Sequence, residues 1–280
     1  TDHHTHLRPD DAPFDEEALS IETIVPHVAA AMDVGLAQVA VTEHVYRFRA
    51  AKPAWDHPYW DTQTQWDLDA YWEALSEAKA AGFPLLIGIE CDWLPDGQDV
   101  LVDMLAGRPW DVVLGSIHWV DEGAVDYDLY SAFREIDADA LWRGYVDRYT
   151  RAALSGQFDV MTHADLPKSF GPLPSAETLD WALDRIADKL MSEMQQHGAV
   201  RLSNAQLDAL TKAAFTIKPG EGGGCAQAHT NKDFIGKDPT VLAKAAGISL
   251  PSGTQLLFAE TGADHPFVVE EQMMPFVPIV

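Results

Sequence analysis

The chain begins with a dense group of histidines, because its first six residues include His3, His4 and His6. If this stretch forms a β-strand, His4 and His6 point to one face and His3 to the other, since successive side chains alternate. Two imidazoles on one face, two residues apart, can bind one metal ion together. A histidine-rich stub at a chain end is the alternative interpretation. The rest of the sequence favours the metal site.

Further residues that can bind metal ions follow four later apolar segments. They are Glu43 with His44, Glu90, His118, and His163 with Asp165. Each of these by itself is more often an ordinary hydrogen-bonded group at the end of a strand. Five such positions on five successive strands indicate a site for more than one metal ion, because the strands of a parallel barrel end on one rim.

The segments that carry these residues alternate between short apolar runs and longer amphipathic ones. The predicted strands are 2–6, 37–42, 84–90, 111–117 and 158–162, and the predicted helices are 21–34, 68–80, 138–154 and 176–194. This repeated order predicts an α/β fold with a parallel sheet or barrel. The aromatic segment 47–72 is predicted to be either a substrate lid or a surface loop packed by its own aromatic side chains.

The composition limits the partners that the protein can bind. The 280 residues include 19 Lys and Arg against 44 Asp and Glu, which gives a formal net charge of -25. So acidic a surface argues against nucleic acid and membranes as partners, and an anionic substrate would need the positive charge that metal ions supply. No apolar run is long enough to span a membrane. Two cysteines, Cys91 and Cys225, build no disulfide framework, so we expect a cytoplasmic protein.

Two-thirds of the way along the chain the composition changes. All nine Trp and all seven Tyr lie at or before Trp181. The later part contains a Gly-rich stretch, 220–224, that matches neither the phosphate-binding loop nor the dinucleotide fingerprint, and we interpret it as a flexible loop. Strands at 200–202 and 255–260 and a helix at 240–246 are predicted around it. The change indicates two stretches of different origin.

The strand-end motifs of the first stretch, residues 1 to about 185, resemble the PHP (polymerase and histidinol phosphatase) superfamily, in particular its histidinol-phosphate phosphatase branch. The resemblance implies a distorted (β/α)7 barrel with two or three divalent metal ions at the rim. By motif, His4 and His6 would bind the first metal ion, Glu90 would bridge the first and second, and His118 and His163 would bind the second. His44 would bind a third, and Asp165 would be a nearby catalytic group or an additional ligand.

The chemistry of these ligands fits that family. Imidazole and carboxylate together favour zinc, iron or manganese without a sharp preference. Paired metal ions can activate a water molecule and stabilise the phosphate oxygens during hydrolysis of a small phosphorylated substrate. Arg47, Arg49 and Lys168 follow the ligand motifs closely and are candidates for contacts to the phosphate.

The sequence also departs from the family pattern. It lacks the closing Glu-x-Asn-like and Ser-Asp-x-His motifs in standard form, and Asp10 and Asp11 stand where many members have a further histidine. Residues 192–280 instead resemble acylating, CoA-dependent aldehyde dehydrogenases, in stretches that begin at His197, Asn231 and His265. The nucleophilic cysteine of that family lies upstream of the matching part, so Cys225 is interpreted as an incidental thiol and dehydrogenase activity is not expected.

We therefore expect a chimera with a PHP-type part at 1–190 and a dehydrogenase-like part at 191–280. The strands 200–202 and 255–260 are suitably spaced to complete the barrel, and Asp264 and His265 are then the candidates to replace a missing ligand. If neither does, we expect the second metal site to survive and the first and third to weaken. An incomplete barrel would leave unpaired strand edges, which favour a homo-oligomer.

Three functions follow as hypotheses. The first is a metal-dependent phosphomonoesterase, an enzyme whose substrate is a small phosphate ester such as histidinol phosphate. The second is a metal-binding fusion without catalytic activity. The third is an assembly module derived from a dehydrogenase.

Overall fold

The computed structural model describes residues 2–9, 12–15, 19–218, 227–270 and 274–280. The chain forms two compact units, Thr1–Ala182 and Leu183–Val280, which are described separately. Asp10, Asp11, the stretch 220–224 and Cys225, all considered above, lie outside the described residues.

The first unit alternates strands and helices along the chain. Its strands are β1 (Asp2–Thr5), β2 (Val39–His44), β3 (Leu85–Asp92), β4 (Val112–Ser116), β5 (Trp119–Val120), β6 (Gly123–Ala124) and β7 (Val160–Met161). Its helices are α1 (Ile21–Asp33), α2 (Pro58–Gln63), α3 (Leu68–Ala80), α4 (Gln98–Leu105) and α5 (Ala138–Leu154), and α6 (Ala176–Gln196) begins in this unit and ends in the second. The predicted α/β class is confirmed.

Five of these strands form one parallel sheet in the order β1-β2-β3-β4-β7. Strands that are neighbours in the sheet also follow one another along the chain, except that the small β5-β6 hairpin intervenes between β4 and β7. This is the strand order of a (β/α) barrel. Strand β2 is buried over its whole length, as expected for a parallel strand covered on both faces.

The register between β2 and β3 places two predicted ligands side by side. His44 pairs with Glu90 and Thr42 with Gly88. A Cβ atom at position 88 would lie 2.6 Å from the side chain of Thr42, so glycine is required for this close approach. The register therefore depends on a residue that the sequence analysis did not single out.

Side-chain caps explain why two helices have the bounds that the sequence predicts. Asp67 accepts hydrogen bonds from the backbone N–H groups of Asp69 and Ala70 at the start of α3. Asp137 accepts one from Ala140 at the start of α5. Each carboxylate satisfies backbone donors that the first turn of a helix leaves without partners.

The aromatic segment 47–72 packs into the core of the first unit. Trp60 and Trp66 are buried, and the indole N–H of Trp66 donates to the carbonyl oxygen of Asp15 at 3.0 Å. The segment therefore belongs to the core and is not the expected surface loop, and its role as a substrate lid stays a prediction. The segment also contributes Tyr59 to a pocket described below.

The second unit has its own strands, β8 (Val200–Arg201), β9 (Phe215–Lys218), β10 (Gln227–Thr230), β11 (Leu257–Glu260) and β12 (Phe276–Ile279), and helices α7 (Asn204–Ala214), α8 (Pro239–Ala246) and α9 (Pro266–Val269). Strands β8, β11 and β12 form a parallel sheet in the order β12-β11-β8, and β9 pairs with β10. A separate core that includes Leu210, Leu242 and Phe276 supports these elements.

This pairing differs from the expected completion of the barrel by residues 200–202 and 255–260. Strand β11 is hydrogen-bonded to β8 on one side, where Leu257 pairs with Val200, and to β12 on the other, where Leu257 pairs with Phe276. The sheet of the first unit therefore contains five strands among the described residues. No helix in the described part of the chain is long and apolar enough to cross a membrane.

Candidate metal centre

The carboxylate of Glu90, near the end of β3, lies at the centre of a group of histidines. Its side chain is fully buried. Atom Oε2 lies 2.8 Å from Nδ1 of His44, 3.1 Å from Nε2 of His4 and 3.5 Å from Nε2 of His6. One carboxylate oxygen therefore faces imidazoles from β1, from the residue just after β1, and from the end of β2.

The other oxygen of Glu90 faces the remaining two predicted ligands. Atom Oε1 lies 3.2 Å from Nε2 of His163 and 3.5 Å from Nε2 of His118, and it accepts a hydrogen bond from the hydroxyl of Ser116. The structure thus brings together all six residues that the sequence predicts as metal ligands.

The donor atoms fall into two overlapping groups. His4, His6 and Glu90 form one, and His44, Glu90 and His118 form the other, with the donor atoms of each group within 4.8 Å of one another. The first group contains the three residues that the family resemblance assigns to the first metal ion. The second group joins His118 to His44, whereas the resemblance joins it to His163.

Electrostatics favour a charged Glu90 surrounded by imidazoles of mixed protonation. Burial opposes ionisation of Glu90, but His44 and His118 outweigh it and hold its pKa well below the usual range. Burial, followed by repulsion from His44, lowers the pKa of His6 to about 2. Burial also opposes the charged form of His118, but Asp92 and Asp126 raise its pKa to about 10. His6 is therefore held neutral at pH 7, whereas His118 is held charged, and a metal ion bound by His118 would have to displace its proton.

The residues present fit divalent metal ions. Nδ1 of His6 is buried and has no hydrogen-bond partner within the described part of the chain. A buried imidazole nitrogen without a partner is costly, and a metal ion would satisfy it. Five imidazoles around one carboxylate form the mixed N/O donor set that zinc, iron and manganese accept.

A second carboxylate, not predicted from the sequence, lies at this centre. Oδ1 of the buried Asp92 lies 2.8 Å from Nδ1 of His118 and fixes the orientation of that ring. Metal-binding histidines almost always have such a partner on their other ring nitrogen. Glu90 and Asp92 are two residues apart on one strand, so they share a face, and that spacing is the signal that could have revealed it.

The three cations predicted to contact phosphate are paired with carboxylates instead. Arg47 is fully buried and donates to Glu43 and to the carbonyl oxygen of Arg8, so the prediction that it contacts substrate is wrong for this structure. The other two cations are half exposed: Arg49 pairs with Asp67 at 3.1 Å, and Lys168 pairs with Asp165.

Asp165, predicted as a catalytic group, is therefore half exposed and bound to a neighbouring cation. It is not a member of either candidate group of metal donors among the described residues. Its catalytic role, like the phosphate contacts of Arg49 and Lys168, stays a prediction.

A small aromatic pocket adjoins His118. Its volume is about 60 Å³, and it is lined by Tyr46, Tyr59, Gln63, His118, Trp119, Asp126 and Tyr127. The ring of Tyr46 stacks on His44 at 4.6 Å. Burial raises the pKa of Asp126, although His118 and His44 oppose the shift. A larger cleft of about 800 Å³ lies around His57 and Tyr130. None of the six predicted ligands lines it, so this cleft is not part of the candidate metal centre.

His265, considered above as a replacement ligand, has a different role. Its Nδ1 accepts a hydrogen bond from the backbone N–H of Phe267 at 3.3 Å and so caps α9. Its Nε2 lies 3.3 Å from the hydroxyl of Thr211. Neither His265 nor Asp264 belongs to a candidate group of metal donors in the part of the chain that the structure describes.

The fold and the site together define the class, a parallel α/β protein with a candidate multinuclear metal centre at the carboxyl ends of its strands. Residues 17–197 match the model of the PHP domain family. The match covers more than half of the 280 residues, and the chain therefore belongs to the PHP domain family.

Two relatives of this part of the chain have been described as phosphatases. A probable histidinol-phosphatase of Deinococcus radiodurans is 30% identical over 165 residues, which are 58% of this chain and 62% of that protein. The crystal structure of histidinol phosphate phosphatase from Lactococcus lactis, complexed with zinc, L-histidinol and phosphate, aligns with a TM-score of 0.53 at 18% identity, covering 72% of each chain. At that identity the second comparison shows the fold alone.

Other relatives are aldehyde dehydrogenases. Acetaldehyde dehydrogenase (acetylating) of Salmonella typhimurium is 39% identical over 98 residues, which are 35% of this chain and 20% of that enzyme. The chain thus spans 62% of its phosphatase relative and 20% of this dehydrogenase. It combines a PHP domain with a segment similar to acylating aldehyde dehydrogenases.

Proposed function

We propose that this protein is a metal-dependent phosphomonoesterase that hydrolyses a small phosphate ester such as histidinol phosphate. One observation supports the proposal above all others. The buried carboxylate of Glu90, on β3, lies within 3.5 Å of a ring nitrogen of each of five histidines, which lie on or just after β1, β2, β4 and β7. The probable histidinol-phosphatase of Deinococcus radiodurans, 30% identical over 165 residues, also supports the proposal.

In the proposed enzyme, His4, His6 and Glu90 would hold one metal ion, and His44, Glu90 and His118 would hold another. Nε2 of His163 lies 3.2 Å from Oε1 of Glu90. Bound metal ions would supply an activated water molecule and positive charge for the phosphate oxygens. Glu90 belongs to both groups, and Asp92 keeps the His118 ring turned towards Glu90.

The aromatic pocket next to His118 would take the alcohol part of the substrate. Tyr59 and Tyr127 pack against each other in its lining, with ring centroids 5.4 Å apart, and the single carboxyl group of the lining is that of Asp126. Such a lining suits a planar or positively charged group better than a sugar or an aliphatic chain.

The test combines elemental analysis with an activity assay. Protein purified without chelators is expected to contain two or more zinc, iron or manganese ions per chain and to release phosphate from histidinol phosphate. The variant His118→Ala is expected to lose both properties. His197→Ala is the matched control, because that histidine is exposed and its nearest carboxylate is Glu193 at 4.0 Å. One metal ion or fewer per chain, or equal activity of the two variants, would contradict the proposal.

One observation favours a second function, a metal-binding protein without phosphatase activity. The three cations predicted for phosphate binding have carboxylate partners: Arg47 with Glu43, Arg49 with Asp67, and Lys168 with Asp165. Full metal content together with no phosphate release from any of a panel of phosphate monoesters would establish this alternative.

A further inference from the structure

The segment that follows β1 is held by one ion pair. The backbone N–H groups of Leu7 and Arg8 both donate to Oε1 of Glu43, the second at 3.0 Å. The guanidinium of Arg47 donates to the carbonyl oxygen of Arg8 at 2.8 Å and to Oε2 of Glu43. Glu43 and Arg47 therefore bind this short piece of backbone from its donor side and from its acceptor side.

Both partners of this ion pair are fully buried. Removing two charges from water costs several kcal/mol per ion, and an apolar pair of similar volume is often as stable or more so. Stability alone is therefore a weak reason for a charged pair here. Specific geometry is a better one, since the pair makes three further directional bonds to the backbone of Leu7 and Arg8.

The backbone that the pair holds is directly attached to candidate ligands. Leu7 follows His6, and Glu43 precedes His44. The rings of His6 and His44 stack with centroids 4.2 Å apart, and Nδ1 of His6 lies 3.9 Å from Oε2 of Glu43. The ion pair thus fixes the end of β1 against the end of β2 at the point where the two groups of metal donors meet.

We propose that the buried Glu43–Arg47 ion pair positions His4 and His6 for the first metal ion and has no contact with substrate. The inference rests on the proposed metal centre and extends it. Glu43 and Arg47 are positioning residues, because they act through the backbone that bears the ligands. Replacing them is expected to abolish metal binding by His4, His6 and Glu90 and to leave metal binding by His44, Glu90 and His118 intact.

The first unit offers a matched control at another point of the same sheet. Asp111 accepts a hydrogen bond from the backbone N–H of Ile87 at 2.7 Å and pairs with Lys79 at 2.6 Å. Like Glu43, Asp111 thus bonds to a basic side chain and to the backbone N–H of a strand or strand end. It lies just before β4 and near the start of β3, away from the strand ends that carry the ligands.

Three variants are compared with the control variant Asp111→Asn. Arg47→Met leaves the Glu43 carboxylate buried without its cation, so this variant has the greatest risk of not folding. The double variant Glu43→Gln/Arg47→Met removes both charges at similar volume. Arg47→Lys keeps the positive charge beside Glu43 but replaces the planar guanidinium by a single ammonium group.

The measurements are metal content per chain, zinc affinity by competition with a chelator, and the visible spectrum of the cobalt-substituted protein. The double variant and Arg47→Lys are expected to lose one metal ion per chain, or to bind it about 10- to 100-fold more weakly, the range found when partners of metal ligands are removed. The cobalt absorption of the remaining group is expected to persist. Asp111→Asn is expected to match the wild type in all three measurements.

The outcomes separate the two proposals. Wild-type protein without bound metal would overturn the proposed metal centre and this inference with it. Wild-type protein with two metal ions, together with folded Arg47→Lys and double variants of unchanged content and affinity, would overturn the positioning role and leave the metal centre intact.

Discussion

Both units of the molecule contain parallel strands with histidine or glutamate at or just after their carboxyl ends, yet the two sets of residues do different things. In the first unit His44 at the end of β2 faces Glu90 on β3 at 2.8 Å. In the second, Glu260 at the end of β11 pairs with Arg201 on the neighbouring strand. The same residue types thus form a candidate metal centre in one unit and an exposed ion pair in the other.

The difference lies in what the neighbouring strands provide. His44 and Glu90 are register partners, and His118 and His163 follow the next two strands of the sheet, so all of them face one buried carboxylate. His265 has its ring nitrogens next to a helix N-terminus and a threonine hydroxyl of its own unit. A histidine after a strand becomes a candidate ligand only when adjacent strands bring further donors to the same point.

The largest expected effect comes from removing the shared carboxylate. Glu90→Gln takes one ligand from both donor groups, so we expect loss of bound metal and a fall in phosphatase activity of at least about 100-fold. Elemental analysis and phosphate release measure the two effects. Glu260→Gln in the second unit is the control and should change neither the metal content nor the activity. If Glu90→Gln retained its metal, Glu90 would not be the shared ligand that distinguishes the first unit from the second.

Removing the metal should destabilise one unit and not the other. At a metal concentration 100 times the dissociation constant, binding stabilises a folded unit by about 2.7 kcal/mol. All nine Trp lie at or before Trp181, so tryptophan fluorescence follows the unfolding of the first unit, and hydrogen exchange with mass spectrometry follows both. Chelator is expected to lower the unfolding temperature seen by fluorescence. Equal loss of protection in residues 200–260 would show that the metal supports the second unit as well.

A smaller effect is expected for the partner of His118. Asp92→Asn retains the shape of the side chain but removes its charge, and we expect zinc affinity to fall about 10- to 100-fold with the fold preserved. Chelator competition measures the change. Asp96→Asn, an exposed position four residues later, serves as the control. Wild-type affinity in Asp92→Asn would mean that His118 is oriented without this hydrogen bond.

The smallest effect on the metal centre is expected from the histidine of the second unit. His265→Ala removes the cap of α9, so the second unit should lose about 1 kcal/mol of stability, as is usual when a cap is removed. Metal content should not change. A drop in metal content would show that His265 has a role as a ligand that its hydrogen bonds do not indicate.

Much of the first unit could be predicted from the sequence, because local signals there agree with the final packing. Helices α3 and α5 begin after the capping residues Asp67 and Asp137, and their apolar periodicity fixes their length. All six candidate ligands could be predicted because each lies on a predicted strand or within two residues of its end. These signals need no knowledge of which strands are neighbours.

The rest depends on contacts between distant residues. Arg47 looks like a phosphate contact in the sequence, and only the burial of its guanidinium against Glu43 shows otherwise. Asp92 looks like a polar residue at a strand end, and only its 2.8 Å contact with His118 assigns it to the centre. The pairing of β8 with β11 and β12 could not be predicted either, since strand propensity does not specify the partner strand.

Strand β1 is four residues long and lies at the edge of the parallel sheet, where β2 is its hydrogen-bonded neighbour among the described strands. Edge strands of this length separate from a sheet more readily than central ones. Because His4 lies on β1 and His6 follows it, one opening event would withdraw two ligands together. The rate at which the first metal ion leaves would then be the rate of strand opening, and a bound ion would protect the exposed edge from pairing with another chain.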